Sequence, residues 1–106
     1  MEIINSNYFN GWFVGNFEPC LIKSTDFEFG YKIIEGGTKP DYHFHRFKTE
    51  YTVLLEGKIE LQFSKEIIKP ITTIMLKPNE KNDQFFIEKS LILVINTPSK
   101  PGDKYF

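Results

Sequence analysis

The chain has 106 residues, 13 basic and 14 acidic, with a formal net charge of -1 spread evenly along it. That length suits one domain, residues 1–106, with a single modest core. There is no basic stripe to follow a phosphate backbone, no bilayer-length apolar run and no charged-then-apolar leader, so nucleic-acid and membrane partners are not expected. The lone Cys20 cannot form an internal disulfide, which fits a reducing cytoplasm, and it reads as a small core hydrophobe rather than a reactive thiol.

Taken in chain order, short apolar or alternating runs recur about every eight to twelve residues between turn residues, the pattern of an all-β barrel or sandwich. Strands are expected at Glu2–Ile4, Cys20–Lys23, Phe27–Ile34, Tyr42–Phe47, Glu50–Glu56, Lys58–Phe63, Thr72–Leu76, Gln84–Ile87 and Leu91–Thr97. The one stretch with helical character is Asn5–Asn10. Glu56-Gly57-Lys58 reads as a tight hairpin turn, and Gly36-Gly37, Lys77-Pro78-Asn79 and Pro98–Gly102 read as loops. The tail after Thr97 is too polar and broken to close a core alone. Eleven Phe, five Tyr and one Trp supply large buried area per residue.

Both histidines fall in one constellation, Gly37, His43, His45, Glu50 and Gly57. On an extended strand alternate side chains share a face, so His43 and His45 point together while Tyr42, Phe44 and Arg46 point away. Glu50 arrives from the next strand, with Thr52 and Leu54 on the same side and Glu56 a further candidate for it. Two neutral imidazoles and a carboxylate form a three-ligand set for a divalent metal with positions left open. Surrounding Leu, Ile and Phe predict a mostly apolar small-molecule pocket, and Thr52, Gln62 or the backbone are candidates to hold the second imidazole nitrogens. Arg46, the only arginine, is expected at the surface or a subunit interface, Trp12 in core or dimer packing, and Lys23, Lys32 and Lys39 in solvent.

The five-residue pattern resembles the first motif of the cupin superfamily, complete at all five positions. The resemblance implies a small antiparallel β-barrel, a double-stranded β-helix or jelly roll, with His43, His45 and Glu50 as metal ligands in its mouth. It further implies that Gly37 leads into the ligand-bearing strand and Gly57 turns the following hairpin. The second motif departs from the family, because the chain has no third histidine. Counting from Pro78 puts Asp83 at the missing position; taking Asn79 as the turn glycine puts Asn82 there, and Gln84 is a further oxygen donor. Asp83 is thus expected either as a fourth ligand or catalytic base, or as a residue capping its own turn.

A ligand set of two histidines with one or two carboxylates suits iron or manganese, with nickel or zinc also compatible. The implied activity is that of a metal-dependent enzyme on a small organic molecule. It would be an oxygenase, or an isomerase or epimerase in which Glu50, Asp83 or Glu56 moves a proton. The alternatives are a small-molecule-binding barrel without turnover and a metal-free oligomerising barrel. No nucleotide fingerprint is present. Exposed strand edges in so small a barrel, and the cupin resemblance, point to a homodimer.

Overall fold

A computed structural model describes residues 1–106 as one curled sheet preceded by a single helical turn. The turn is a 3-10 helix over Ser6–Phe9, within the stretch given helical character. The Asn5 side chain caps its start, and Asn10, at φ 51°, ends it in the left-handed conformation that Asn tolerates. The strands are β1 (Trp12–Gly15), β2 (Ile22–Lys23), β3 (Glu28–Ile34), β4 (Thr49–Leu61), β5 (Ile67–Ile68), β6 (Thr72–Leu76) and β7 (Gln84–Thr97). Their order across the sheet is β2-β1-β3-β7-β4-β5, with β6 also paired to β4. All pairings are antiparallel except β1 with β2. No helix is long and apolar enough to cross a membrane.

Several expected elements merge or vanish, each for a local reason. Glu2–Ile4 forms no strand, and its side chains are exposed with no partner edge. Glu56-Gly57-Lys58 is not a hairpin turn: β4 runs through it, and the register against β7 slips between Leu54 and Ile59. Gly57 is therefore a bulge residue. Its φ of +107° is glycine territory, and a Cβ there would drive into the side chain and backbone of Ser90. Ser90 Oγ accepts from Lys58 N at 3.3 Å and donates to Glu88 O at 2.8 Å, stitching the bulge to β7. Likewise Gln84–Ile87 and Leu91–Thr97 are two ends of one 14-residue strand.

The bulge decides what faces inward. Glu50, Thr52 and Leu54 alternate into the interior as expected, but beyond the slip Glu56 is exposed and Ile59 takes the inward place. The interior consequently has two halves. One is apolar: Leu54, Ile59, Ile68, Phe86, Ile92 and Val94, with Trp12, Ile34, Leu61 and Ile74 packed against them. The other is polar, and buries Glu28, His43, His45, Lys48, Glu50, Asn96, Ser99 and Asp103. The tail assigned no closing role in fact seals that polar half, since Ser99 and Asp103 are buried and Tyr105 pairs with Phe44.

Candidate metal centre

His43 and His45 do not lie on a regular strand; they occupy an extended segment held from both sides. Phe44 exchanges two backbone hydrogen bonds of 2.9 Å with Tyr105. Opposite, the carbonyls of His43 and His45 accept from Asn82 N at 2.8 Å and Asn79 N at 2.6 Å. That ladder supplies the alternation expected of a strand and turns both imidazoles to one side. Glu50 comes from the start of β4, flanked by Asn96 of β7 and Leu76 of β6. All three side chains are buried, at 6–8% exposure.

Each imidazole is oriented through its far nitrogen. His43 Nδ1 pairs with Asp41 Oδ1 at 2.6 Å, and the same oxygen accepts from the His43 backbone N at 3.1 Å. His45 Nδ1 donates to the backbone carbonyl of Asp103. With Nδ1 carrying the proton, the Nε2 lone pairs face inward, toward separate oxygens of Glu50 at 3.5 and 3.6 Å. The ligand atoms of the three residues lie within 4.8 Å of one another. His45 Nε2 is buried and has no hydrogen-bond partner. A lone pair opposed to a carboxylate oxygen is repulsive unless a cation stands between them, so the donor set fits a metal ion.

The electrostatics follow from the same contacts. Burial works to raise the Glu50 carboxyl, but hydrogen bonds and charge from His43 and His45 overcome it and hold the pKa at about 2. Burial works to lower the His43 imidazole; Glu50 and Asp41 outweigh it and raise the pKa above its ordinary value. Asp103 is also held low: desolvation opposes ionisation, and the backbone N–H groups of Arg46, Phe47 and Lys48 overcome it. Each donates to the Asp103 carboxylate at 3.0 Å, which folds the loop between His45 and β4 around one buried side chain.

The centre opens on a cavity of about 460 Å³ lined by His43, His45 and Glu50 together with Lys48, Glu28 and Asn96. Among the lining residues only Phe9, Trp12 and Phe17 are hydrophobic, so the Leu, Ile and Phe wall expected from the sequence is replaced by one built mostly from polar residues. A second cavity of about 230 Å³ lies against His43 and Glu50, lined also by Thr52, Asn82 and Gln84. Lys32, exposed as expected, also lines both cavities and holds its Nζ 5.5 Å from the Trp12 ring centre. Trp12 thus serves core and cavity wall together. Arg46 turns away, its guanidinium 4.2 Å from the Tyr105 ring centre. Cys20 is half-buried rather than a core residue and lines neither cavity.

Asp83 is not brought to the centre. Its Oδ2 accepts from Phe63 N at 2.8 Å, 20 residues away just beyond β4, rather than capping its own turn, and it lines neither cavity. Asn79 has φ 71°, the conformation of a turn glycine, and Asn82 and Gln84 rather than Asp83 face the ligands. Glu56, the other candidate base, is exposed. The residues that sequence reasoning missed are Asp41 and Asp103. Asp41 carried a signal, an Asx motif two residues before a ligand histidine; Asp103, 58 residues from His45, carried none.

No protein-family model matches the sequence, and no curated protein does either. Solved structures match well in shape. A conserved protein with a double-stranded β-helix domain from Klebsiella pneumoniae superposes with a TM-score of 0.70 at 13% identity, covering 80% of this chain and 73% of its own. KdgF from Halomonas sp. gives 0.69 at 17% identity, with 94% and 96% covered. The DMSP lyase DddQ from Ruegeria pomeroyi gives 0.73 at 12% identity, with 97% of this chain but 55% of that one covered. The chain has the cupin fold, a small double-stranded β-helix, with a buried His-His-Glu cluster in its interior that could hold a metal ion.

Proposed function

We propose that the protein is a metal-dependent enzyme acting on a small organic molecule, with His43, His45 and Glu50 as the metal ligands. The observation that carries this reading is the pair of imidazoles fixed through Nδ1 by Asp41 and Asp103, with the buried Nε2 of His45 left without a partner beside Glu50. A divalent iron, manganese, nickel or zinc held there would supply Lewis acidity and, for iron, oxygen chemistry, at positions three ligands leave open. The chain's own contribution is orientation: Asp41 and the Asp103 carbonyl keep both histidines in the ligand tautomer, and the cavity holds the organic molecule beside them. One of the relatives in shape is named as a lyase, so the fold can carry an enzyme, without a reaction being chosen for this chain.

Among the reactions considered, the oxygenase type fits better than the isomerase type. An isomerase needs a free base over the substrate, and Asp83 and Glu56 are both turned away. The remaining cavity carboxylates are paired, Glu18 with Lys23 at 2.9 Å, Glu28 with Lys48 at 2.8 Å and Asp41 with His43 Nδ1 at 2.6 Å. The test is elemental analysis of tag-free protein purified without chelators, beside a His43→Ala/His45→Ala variant. Near-stoichiometric transition metal in the parent and none in the variant is expected; a parent that takes up no metal on reconstitution refutes the reading. The proposed assembly is a homodimer, supported by β2 at the sheet edge and by exposed Ile3, Ile22 and Phe27 nearby in sequence.

A further inference from the structure

The polar wall beside the metal centre is more elaborate than metal binding requires. Antiparallel pairing sets Asn96 of β7 opposite Glu28 of β3 on one side and Glu50 of β4 on the other, so the three stand in one row. Lys48 joins them, and all four line the larger cavity. Glu28 accepts three hydrogen bonds: Oε1 from Lys48 Nζ at 2.8 Å and Asn96 Nδ2 at 3.0 Å, and Oε2 from Ser99 Oγ at 3.2 Å. Because Nδ2 is committed to a carboxylate, the Asn96 amide has one orientation, and its Oδ1 is the free atom. That oxygen is buried, in a residue 3% exposed, and has no partner. Lys48 finds a single acceptor, Glu28, for three ammonium hydrogens.

The wall therefore presents one unfilled acceptor and unfilled donors, on an ion pair of zero net charge. A carboxylate from a ligand would satisfy Lys48 but face Asn96 Oδ1 and Glu28. A ligand ammonium would do the reverse, and a carbonyl could satisfy Lys48 alone. An alcohol hydroxyl donates to Asn96 Oδ1 and accepts from Lys48 Nζ with one atom. We infer that Asn96 and Lys48 form a hydroxyl-recognition site, and that the molecule bound beside the candidate metal centre is a small hydroxylated compound. The cavity volume of about 460 Å³ admits a six-carbon chain. This rests on the metal-centre reading only for what lies at the other end of the ligand.

The test is calorimetric titration of the protein, nickel-loaded and metal-free, with D-gluconate and with hexanoate. The two probes share a carboxylate and a six-carbon chain and differ in hydroxyls. Nickel-loaded wild type is expected to prefer gluconate by about tenfold, the scale of one net hydrogen bond. Asn96→Ala and Lys48→Met should each bring the preference, read as the ratio of the two affinities within one protein, to within about twofold. A wild type that does not discriminate, or a preference surviving both variants, overturns the inference, and the wild-type arm needs no variant to fold. Metal content measured on the same samples keeps the two ideas apart. Nickel-free protein that still prefers gluconate through Asn96 supports this inference on its own, whereas protein that takes up no nickel refutes the metal reading alone.

Discussion

Replacing Asp103 should be among the most damaging single changes outside the apolar core, although it lies only three residues before Phe106 in a Pro-Gly-Asp turn. Its carboxylate accepts three backbone N–H groups, those of Arg46, Phe47 and Lys48, and its side chain is among the most buried in the chain at 2% exposure. Asp103→Ala leaves all three donors without their acceptor. An unsatisfied buried donor costs about 1–3 kcal/mol, and two of these three are only partly buried, where water recovers some of the loss. The expected cost is about 3–5 kcal/mol, a large part of the 5–15 kcal/mol typical of a domain. Asp103→Asn keeps one acceptor oxygen and should lose about half as much. Urea denaturation of the three proteins at neutral pH measures this directly. The Asp103 backbone carbonyl, which accepts from His45 Nδ1, survives both changes. Metal affinity should therefore fall less than stability does. A cost below about 1 kcal/mol for Asp103→Ala would show that the loop does not depend on this carboxylate.

Other consequences can be measured independently. Glu50, held at about 2, contributes stability to the metal-free protein that is complete above its ordinary 4.5 and is lost as pH falls toward 2. His43, with its pKa raised above 6.5, contributes in the opposite sense: fully below 6.5, and lost as pH rises through the raised value. Metal-free stability measured by urea titration should thus be greatest between those limits and fall on both sides. Gly57→Ala should destabilise by roughly 2 kcal/mol or more, because it combines positive φ with a collision against Ser90, and thermal unfolding reads the loss. Lys48→Met should cost about 3–5 kcal/mol by leaving Glu28 buried beside only Asn96 and Ser99; a Lys48→Met/Glu28→Leu double variant should recover much of that in the same assay.

How far the sequence foretold the structure depends on the range of the interaction concerned. Alternation alone carried Glu50, Thr52 and Leu54 to one face, and the H-x-H spacing carried His43 and His45, because period-two geometry is local. It failed at Gly57, where a bulge and a hairpin turn share one signature, a glycine between β-rich runs, and differ only in whether the chain beyond meets β7 or β4 itself. Asp83 and Asn82 differ by one position, and at period two that sends one side chain to the Phe63 backbone and the other into the cavity. The φ of Asn79 decides between them, and no residue identity prints a φ. The buried Glu28–Lys48 pair joins residues 20 apart, and the Asp103 loop clamp residues at least 55 apart; neither has any local periodicity to betray it.

The state of the metal centre without metal follows from its own ligands. Glu50 ionises far below neutrality and His43 protonates above its ordinary value, so near pH 6 the cluster holds a proton where a cation would sit. The three residues are an ion pair in one state and a ligand set in the other, and the orienting partners Asp41 and Asp103 serve both. Metal entry must then expel that proton, so affinity should climb with pH by up to tenfold per unit until it passes the raised His43 value, and level off above it. Titrating zinc against the protein at successive pH values, with proton release followed in weakly buffered solution, measures both. A pH-independent affinity between 5 and 8, or binding without proton release at pH 6, would mean that the imidazoles are already neutral in the metal-free protein. Their closeness to Glu50 would then be a repulsion the fold sustains rather than an attraction that a metal replaces.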